Sequence, residues 1–126
     1  MNKILICKKC GAMVEVLKPC TCRNCGIVCC DTPMTELIPN TSDGAGEKHL
    51  PVYKIEGNKV SVQVGSVLHP MTNEHYIEWI MLCTDKGSQK LDLMPGAEPR
   101  GEFLISQGEK VEGVYAYCNL HGLWKS

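Results

Sequence analysis

Lys59-Val60-Ser61-Val62-Gln63-Val64 sets a valine at every second position with a polar residue between. Successive side chains of a strand point to opposite faces, so this alternation predicts a half-buried β-strand with its valines inward. Glu56-Gly57-Asn58 in front of it reads as a turn, and the period-two character starts near Leu50. Further on, Tyr76 to Cys83 is a denser apolar run, with Trp79 and Met81 on one side and Ile80 and Leu82 on the other. It suits a strand covered on both faces, or a short buried helix. Asp85-Lys86-Gly87-Ser88 and Met94-Pro95-Gly96-Ala97-Glu98-Pro99 read as punctuation, while Phe103-Leu104-Ile105 and Val111 to Tyr117 read as two more strands joined at Gln107-Gly108. Short strands at this spacing, with no convincing long helix, predict a mainly β chain whose larger part is an antiparallel sandwich.

Ahead of that region the composition changes. Seven of the nine cysteines lie between Cys7 and Cys30, and only Cys83 and Cys118 follow. The change falls near Pro39 to Gly46 and divides the chain into a metal-stapled module, residues 1–38, and a β-domain, residues 39–126. An odd number of cysteines cannot be fully paired, and in a reducing compartment such crowding points to metal. Cys7-Lys8-Lys9-Cys10-Gly11 has the form of a metal knuckle, two thiolates three apart followed by a glycine that lets backbone amides turn toward the sulfurs. Val14, Val16 and Leu17 suggest a short strand, and after Pro19 come Cys20, Cys22, Cys25, Cys29 and Cys30. So little of the module is apolar that a bound metal would supply most of its folding free energy, on the order of 10 kcal/mol for a four-thiolate site.

Thirteen basic and fourteen acidic side chains nearly cancel. That balance argues against a nucleic-acid or anionic membrane partner and leaves any electrostatic steering local. The apolar run before Cys7 is too short for a signal peptide and no later stretch spans a bilayer, which predicts a soluble, cytoplasmic protein.

The chain has four histidines, His49, His69, His75 and His121, each at a predicted strand edge or in a loop beside one. A single histidine in a small protein is more often a surface or satisfied core residue than a ligand. Cys118-Asn119-Leu120-His121 changes that weighting, because a thiolate and an imidazole three apart can face one ion from a single turn. Four imidazoles and one thiolate would leave an octahedral metal one open position, as a catalytic site requires, whereas zinc rarely takes five protein ligands.

Glu47-Lys48-His49, Gly65-Ser66-Val67-Leu68-His69-Pro70-Met71, His75-Tyr76-Ile77-Glu78-Trp79-Ile80 and Tyr117-Cys118-Asn119-Leu120-His121-Gly122-Leu123-Trp124-Lys125 resemble the signature segments of the desulfoferrodoxin family, the two-iron superoxide reductases. With Cys7-x-x-Cys10 and Cys29-Cys30 in front, the likeness runs over nearly the whole chain. It implies an immunoglobulin-like sandwich and a mononuclear iron with His49, His69, His75 and His121 as equatorial ligands and Cys118 as axial thiolate. It also implies reduction of superoxide to hydrogen peroxide, without dioxygen release, with electrons from a rubredoxin or similar carrier, in a homodimer. By the same likeness Lys48 attracts the anion and helps deliver a proton, and Glu47 closes onto the oxidised iron as a sixth ligand. Without the family pattern both would read as solvated surface charges.

The resemblance further implies a second, four-thiolate iron at Cys7, Cys10, Cys29 and Cys30, in a desulforedoxin-like or rubredoxin-like module where zinc can replace iron. One departure stands out: the loop from Cys10 to Cys29 is long and carries Cys20, Cys22 and Cys25. Cys7-x-x-Cys10 with Cys22-x-x-Cys25 is therefore an alternative ligand set of zinc-ribbon or rubredoxin type. The adjacent pair is preferred because Cys30-Asp31-Thr32-Pro33-Met34 also fits the family. The additional cysteines are then bystanders or a redox-active dithiol, and Cys83 reads as a small buried hydrophobe. Two other functions compete: an electron carrier working through the four-cysteine iron, which leaves the donors of the β-domain unexplained, and a zinc-ribbon interaction module, which the neutral charge supports poorly.

Overall fold

Two units, Met1–Ile38 and Pro39–Ser126, divide the chain in the computed structural model, which describes residues 1–23 and 26–126. In the first, β1 (Ile4–Ile6) pairs antiparallel with β2 (Met13–Glu15), β3 (Val28–Cys29) forms a hairpin with β4 (Thr32–Pro33), and β5 (Thr35–Glu36) returns to the free edge of β1. The strand expected at Val14 to Leu17 sits slightly earlier, and Leu17 is 80% exposed. Between β1 and β2 the chain reverses through Gly11, whose φ of +78° lies in the left-handed region and whose amide donates to the Cys7 carbonyl at 2.8 Å. The β3–β4 turn is made by Cys30 and Asp31, both with positive φ, +52° and +56°. Two such residues in succession make the tight turn whose twist matches a hairpin. Ile4 and Cys7 are the only buried apolar residues of this unit among those described.

The second unit opens with a single helical turn, α1 (Gly46–His49), and continues through β6 (Pro51–Glu56), β7 (Lys59–Val64), β8 (Ile77–Thr84), β9 (Gly87–Asp92), β10 (Arg100–Leu104), β11 (Val111–Cys118) and β12 (Gly122–Lys125). The strands form two antiparallel sheets, β10-β7-β6 and β12-β11-β8-β9. Val60, Val62 and Val64 are buried while their neighbours are half-exposed, and they join Ile80, Leu82, Val114, Ala116 and Cys118 in one core. Completely burying an aliphatic side chain of this size contributes about 1.5–3 kcal/mol. Tyr76 to Cys83 resolves as a strand, since β8 is hydrogen-bonded by β11 on one side and β9 on the other and is buried on both faces. β9 starts within the Asp85–Ser88 punctuation and runs on through residues to which the sequence reading gives no element: it is an edge strand, exposed along most of its length, so no apolar alternation marks it.

At the end of β7 the chain passes close under α1. Gly65, at φ +82°, has room for no side chain, because a Cβ there would come 2.2 Å from the Val67 carbonyl oxygen and 2.6 Å from that of Lys48. This contact brings the turn ending in His49 beside the loop that carries His69. No described helix is long and apolar enough to cross a membrane.

Candidate metal centres

Each histidine of the second unit is aimed by its own local structure. The Nδ1–H of His49, at the end of α1, donates to the Ala45 carbonyl at 2.8 Å, which leaves Nε2 to face inward. His69 repeats the device, its Nδ1–H donating to the Pro70 carbonyl at 2.6 Å. Such bonds fix the tautomer and the orientation of a ligating ring. His75 closes a short loop in which its amide donates to the Thr72 hydroxyl and the Thr72 amide donates to its carbonyl. Cys118 ends β11, fully buried, and His121 follows on the turn into β12.

All five converge. One donor atom from each of His49, His69, His75 and Cys118 lies within 4.8 Å of the others. His121 completes the group, its Nδ1 3.0 Å from His49 Nε2 and 3.8 Å from Cys118 Sγ. Burial pushes the His69 imidazolium down to about 4 and lowers His49 and His75 in the same direction, helped by the neighbouring charges. In all three the shift favours the neutral ring, the form in which an imidazole binds metal. Burial raises the Cys118 thiol, against which the backbone amides of Leu120 and His121 favour the thiolate.

Whether a cation fits is answered by the Nε2 atoms of His69 and His75, which are buried without a hydrogen-bond partner. A buried polar atom left so costs about 1–3 kcal/mol. A metal ion among these donors satisfies both at once, and the mixture of imidazoles with one thiolate suits iron.

Asn119 and Trp124 also build this site, and sequence reading did not single them out. The Asn119 side chain accepts from the Tyr76 amide at 2.9 Å and donates to the Glu74 carbonyl at 2.9 Å, which ties the Cys118–His121 turn to the His75 loop. Trp124 stacks on the His49 ring, centroids 4.8 Å apart, and donates from Nε1 to the His121 carbonyl. Both lie in the Tyr117–Lys125 segment that carries the family resemblance; Asn119 had a further signal in its place between two donors, whereas Trp124 had no other. Lys48 and Glu47 are exposed on α1. The Lys48 charge reaches the centre, since it contributes to lowering both His49 and His75.

The sulfurs of Cys7, Cys10, Cys29 and Cys30 form a second cluster in the first unit, again within 4.8 Å of one another. Hydrogen bonding to the Cys10 and Lys9 backbone pulls Cys7 down to about 6, while sharing protons with Cys10, Cys7 and Cys30 pushes Cys29 up to about 12. Thiols crowded this closely cannot all ionise without a cation between them, so the donor set fits iron or zinc. Cys22 stands apart from the cluster, its sulfur 3.6 Å from that of Cys20, and Cys25 lies outside the described residues. Cys83 is buried in β8.

Fold and sites together define a β-sandwich metalloprotein with an imidazole–thiolate centre, joined in one chain to a four-thiolate module. The desulfoferrodoxin family model matches residues 41–126. A desulfoferrodoxin homolog of Archaeoglobus fulgidus is 46% identical over 120 residues, covering 95% of this chain and 92% of that protein. The superoxide reductase of Pyrococcus horikoshii is 38% identical over 104 residues, covering 68% of this chain and 90% of its own. Among solved structures, the superoxide reductase from Treponema pallidum superposes with a TM-score of 0.80 at 34% identity, covering 98% of both chains. The chain belongs to the desulfoferrodoxin family, and its two donor clusters fit that family's two iron centres.

Proposed function

We propose that this protein is a superoxide reductase, which combines superoxide with one electron and two protons and releases hydrogen peroxide. The observation that carries the reading is the pair of partnerless, buried Nε2 atoms of His69 and His75 in a pocket shared with His49, His121 and the buried Cys118 sulfur. These five residues are the ligands of the active iron. Iron bound there supplies the electron and a cationic seat for the anion. An electron-carrier function leaves those five convergent donors without a task.

As iron ligands the imidazoles would add no charge to the centre, and Cys118, whose thiol burial raises, would bind as a thiolate that the Leu120 and His121 amides help to hold. Lys48, exposed beside His49, draws the superoxide anion in and relays a proton to it through water. Glu47, on the same turn, covers the open side of the centre after product has left.

Cys7, Cys10, Cys29 and Cys30 hold the second iron, with zinc as a possible substitute, in a domain spanning residues 1–38; residues 39–126 form the reducing domain. The protein works as a cytoplasmic homodimer that removes superoxide with electrons from a rubredoxin or a similar carrier. The relatives named superoxide reductase support the removal of superoxide in this reading.

The test is superoxide consumption by the iron-loaded protein, with peroxide and dioxygen measured together. Peroxide should form with no dioxygen release. Cys118→Ser should remove the thiolate-to-iron absorption of this centre and slow turnover by roughly 100-fold, the upper end of what residues that merely orient a ligand cost. Dioxygen evolution, or a rate indifferent to Cys118, would overturn the proposal.

A further inference from the structure

Trp124 reaches two ligand segments at once. Its indole lies over the His49 ring, centroids 4.8 Å apart and planes 24° from parallel, while its Nε1–H donates to the His121 carbonyl at 3.0 Å. The imidazoles themselves meet edge to face: His49 lies at 72° to His69 and 85° to His121, and His75 at 82° to His69 and 74° to His121. The stack of Trp124 on His49 therefore differs in kind from every contact between the ligands.

Several elements hold that stack closed. Trp124 is buried, and its backbone pairs with Ala116 on β11, the strand that ends in Cys118. Gly44 passes close to both rings, since a Cβ there would come 3.2 Å from His49 Cε1 and 3.2 Å from Trp124 Cζ2. Asn40 pins the start of this covering segment to β12, its side-chain amide donating to the Lys125 carbonyl at 3.0 Å and its side-chain oxygen accepting from the Lys125 amide at 2.9 Å. With its own Nδ1–H on the Ala45 carbonyl, the His49 ring cannot turn without displacing the indole.

We propose that Trp124 is a positioning residue that fixes the His49 ring for the iron and, through its π face, lowers the reduction potential of that centre. The inference rests on the reading of His49, His69, His75, His121 and Cys118 as iron ligands. The face of an indole carries negative charge, the largest among the aromatic side chains, and attracts positive charge placed over it. An imidazole that shares its electron pair with a metal ion becomes partly positive, and more so when the metal is oxidised. Trp124 therefore stabilises the oxidised state more than the reduced one, in a buried setting where the attraction is little screened. The consequence is a reduced centre that passes its electron to superoxide with more driving force.

The experiment is a redox titration of the full-length, iron-loaded protein without superoxide, followed by the thiolate-to-iron absorption of the Cys118 centre. Trp124→Leu should move the oxidised-to-reduced ratio at a given potential about fivefold toward the reduced form, a rise of about 40 mV at about 59 mV per tenfold for one electron. Trp124→Phe keeps a weaker π face and should move it about twofold, which carries the test if the leucine variant does not fold. Replacing tryptophan by fluorotryptophan leaves the ring shape and the Nε1–H bond in place while drawing charge from the π face, and should also raise the potential. The same labelling of Trp124→Phe, where only Trp79 remains to be fluorinated, should raise it no further. A role in packing alone would speed iron loss and leave the potential where it was. An unmoved or lowered potential in Trp124→Phe and in the fluorinated protein, with the Cys118 absorption intact, overturns this proposal alone, as does an equal rise on fluorinating Trp124→Phe. No thiolate-to-iron absorption in the unsubstituted protein would overturn the ligand reading and this proposal with it.

Discussion

The two donor clusters reach similar compactness by opposite routes. In the sandwich, Cys118 belongs to the same buried core as Val62 and Leu82, and the histidines stand on loops tied by Ala45, Pro70, Thr72 and Asn119. Covalent chain and core hold those donors in place before any ion arrives. In the small unit, by contrast, Ile4 and Cys7 are the only buried apolar residues among those described, and Cys10 and Cys30 are exposed. There the ion is the core. The contrast teaches that a catalytic centre which must keep its geometry while a ligand comes and goes rests on packing, whereas a closed thiolate site can let its metal do the folding.

The largest expected effect tests that contrast directly. Stripping metal from the whole protein with a strong chelator should melt the first unit, which loses on the order of 10 kcal/mol, and leave the sandwich folded. Amide hydrogen exchange reads both at once: Leu5 and Val14 should lose protection while Val62 and Leu82 keep theirs. Retained protection at Leu5 would show that the small unit needs no ion.

A smaller effect comes from the clamp between the two ligand-bearing loops. Asn119→Ala removes the bonds to the Tyr76 amide and the Glu74 carbonyl, at about 1 kcal/mol each. The sandwich should lose about 1–2 kcal/mol by denaturant titration. Iron should also leave its imidazole–thiolate centre for a chelator about 10–100-fold faster, as expected when a residue that orients ligands is lost. Unchanged iron release would mean that the ligand loops hold themselves.

The smallest effect is a dependence on acid. Glu109 accepts from the Thr84 hydroxyl and the Ser106 amide, and these bonds hold its carboxyl below the usual range. A depressed value means the folded state favours the carboxylate. Its contribution is complete above the ordinary carboxylate range and disappears as pH falls through the lowered value. Glu109→Gln should therefore lower thermal stability of the sandwich slightly near neutrality and flatten its acid limb, the variant and the unsubstituted protein converging at low pH. An unchanged acid limb would assign the whole of it to other groups.

Much of the sandwich was legible before its structure. The valines of β7 and the dense run of β8 announced themselves because burial on one face or two leaves a pattern in residue type. β9 and the paired ends of the small unit did not, since edge strands and two-residue hairpins bury too little to select apolar side chains. For the sites, residue type and spacing raised the four histidines and the Cys118–His121 pair as candidates, and the family resemblance joined them into one ligand set. Trp124 stayed hidden: its role depends on stacking over His49, a neighbour 75 residues away, which no local pattern records.

By itself the sequence determined that the chain is mainly β, that its front is a sulfur-rich metal module, and that an imidazole–thiolate set lies behind it, because hydrophobic period and ligand chemistry are properties of residue type and local spacing. Tertiary structure alone decided which nitrogen of each imidazole faces the centre, and that Cys29 and Cys30, not Cys22, stand with Cys7 and Cys10. Those outcomes rest on carbonyls, turns and left-handed residues placed by the whole backbone, and a ring or a sulfur cannot be aimed until that backbone has closed.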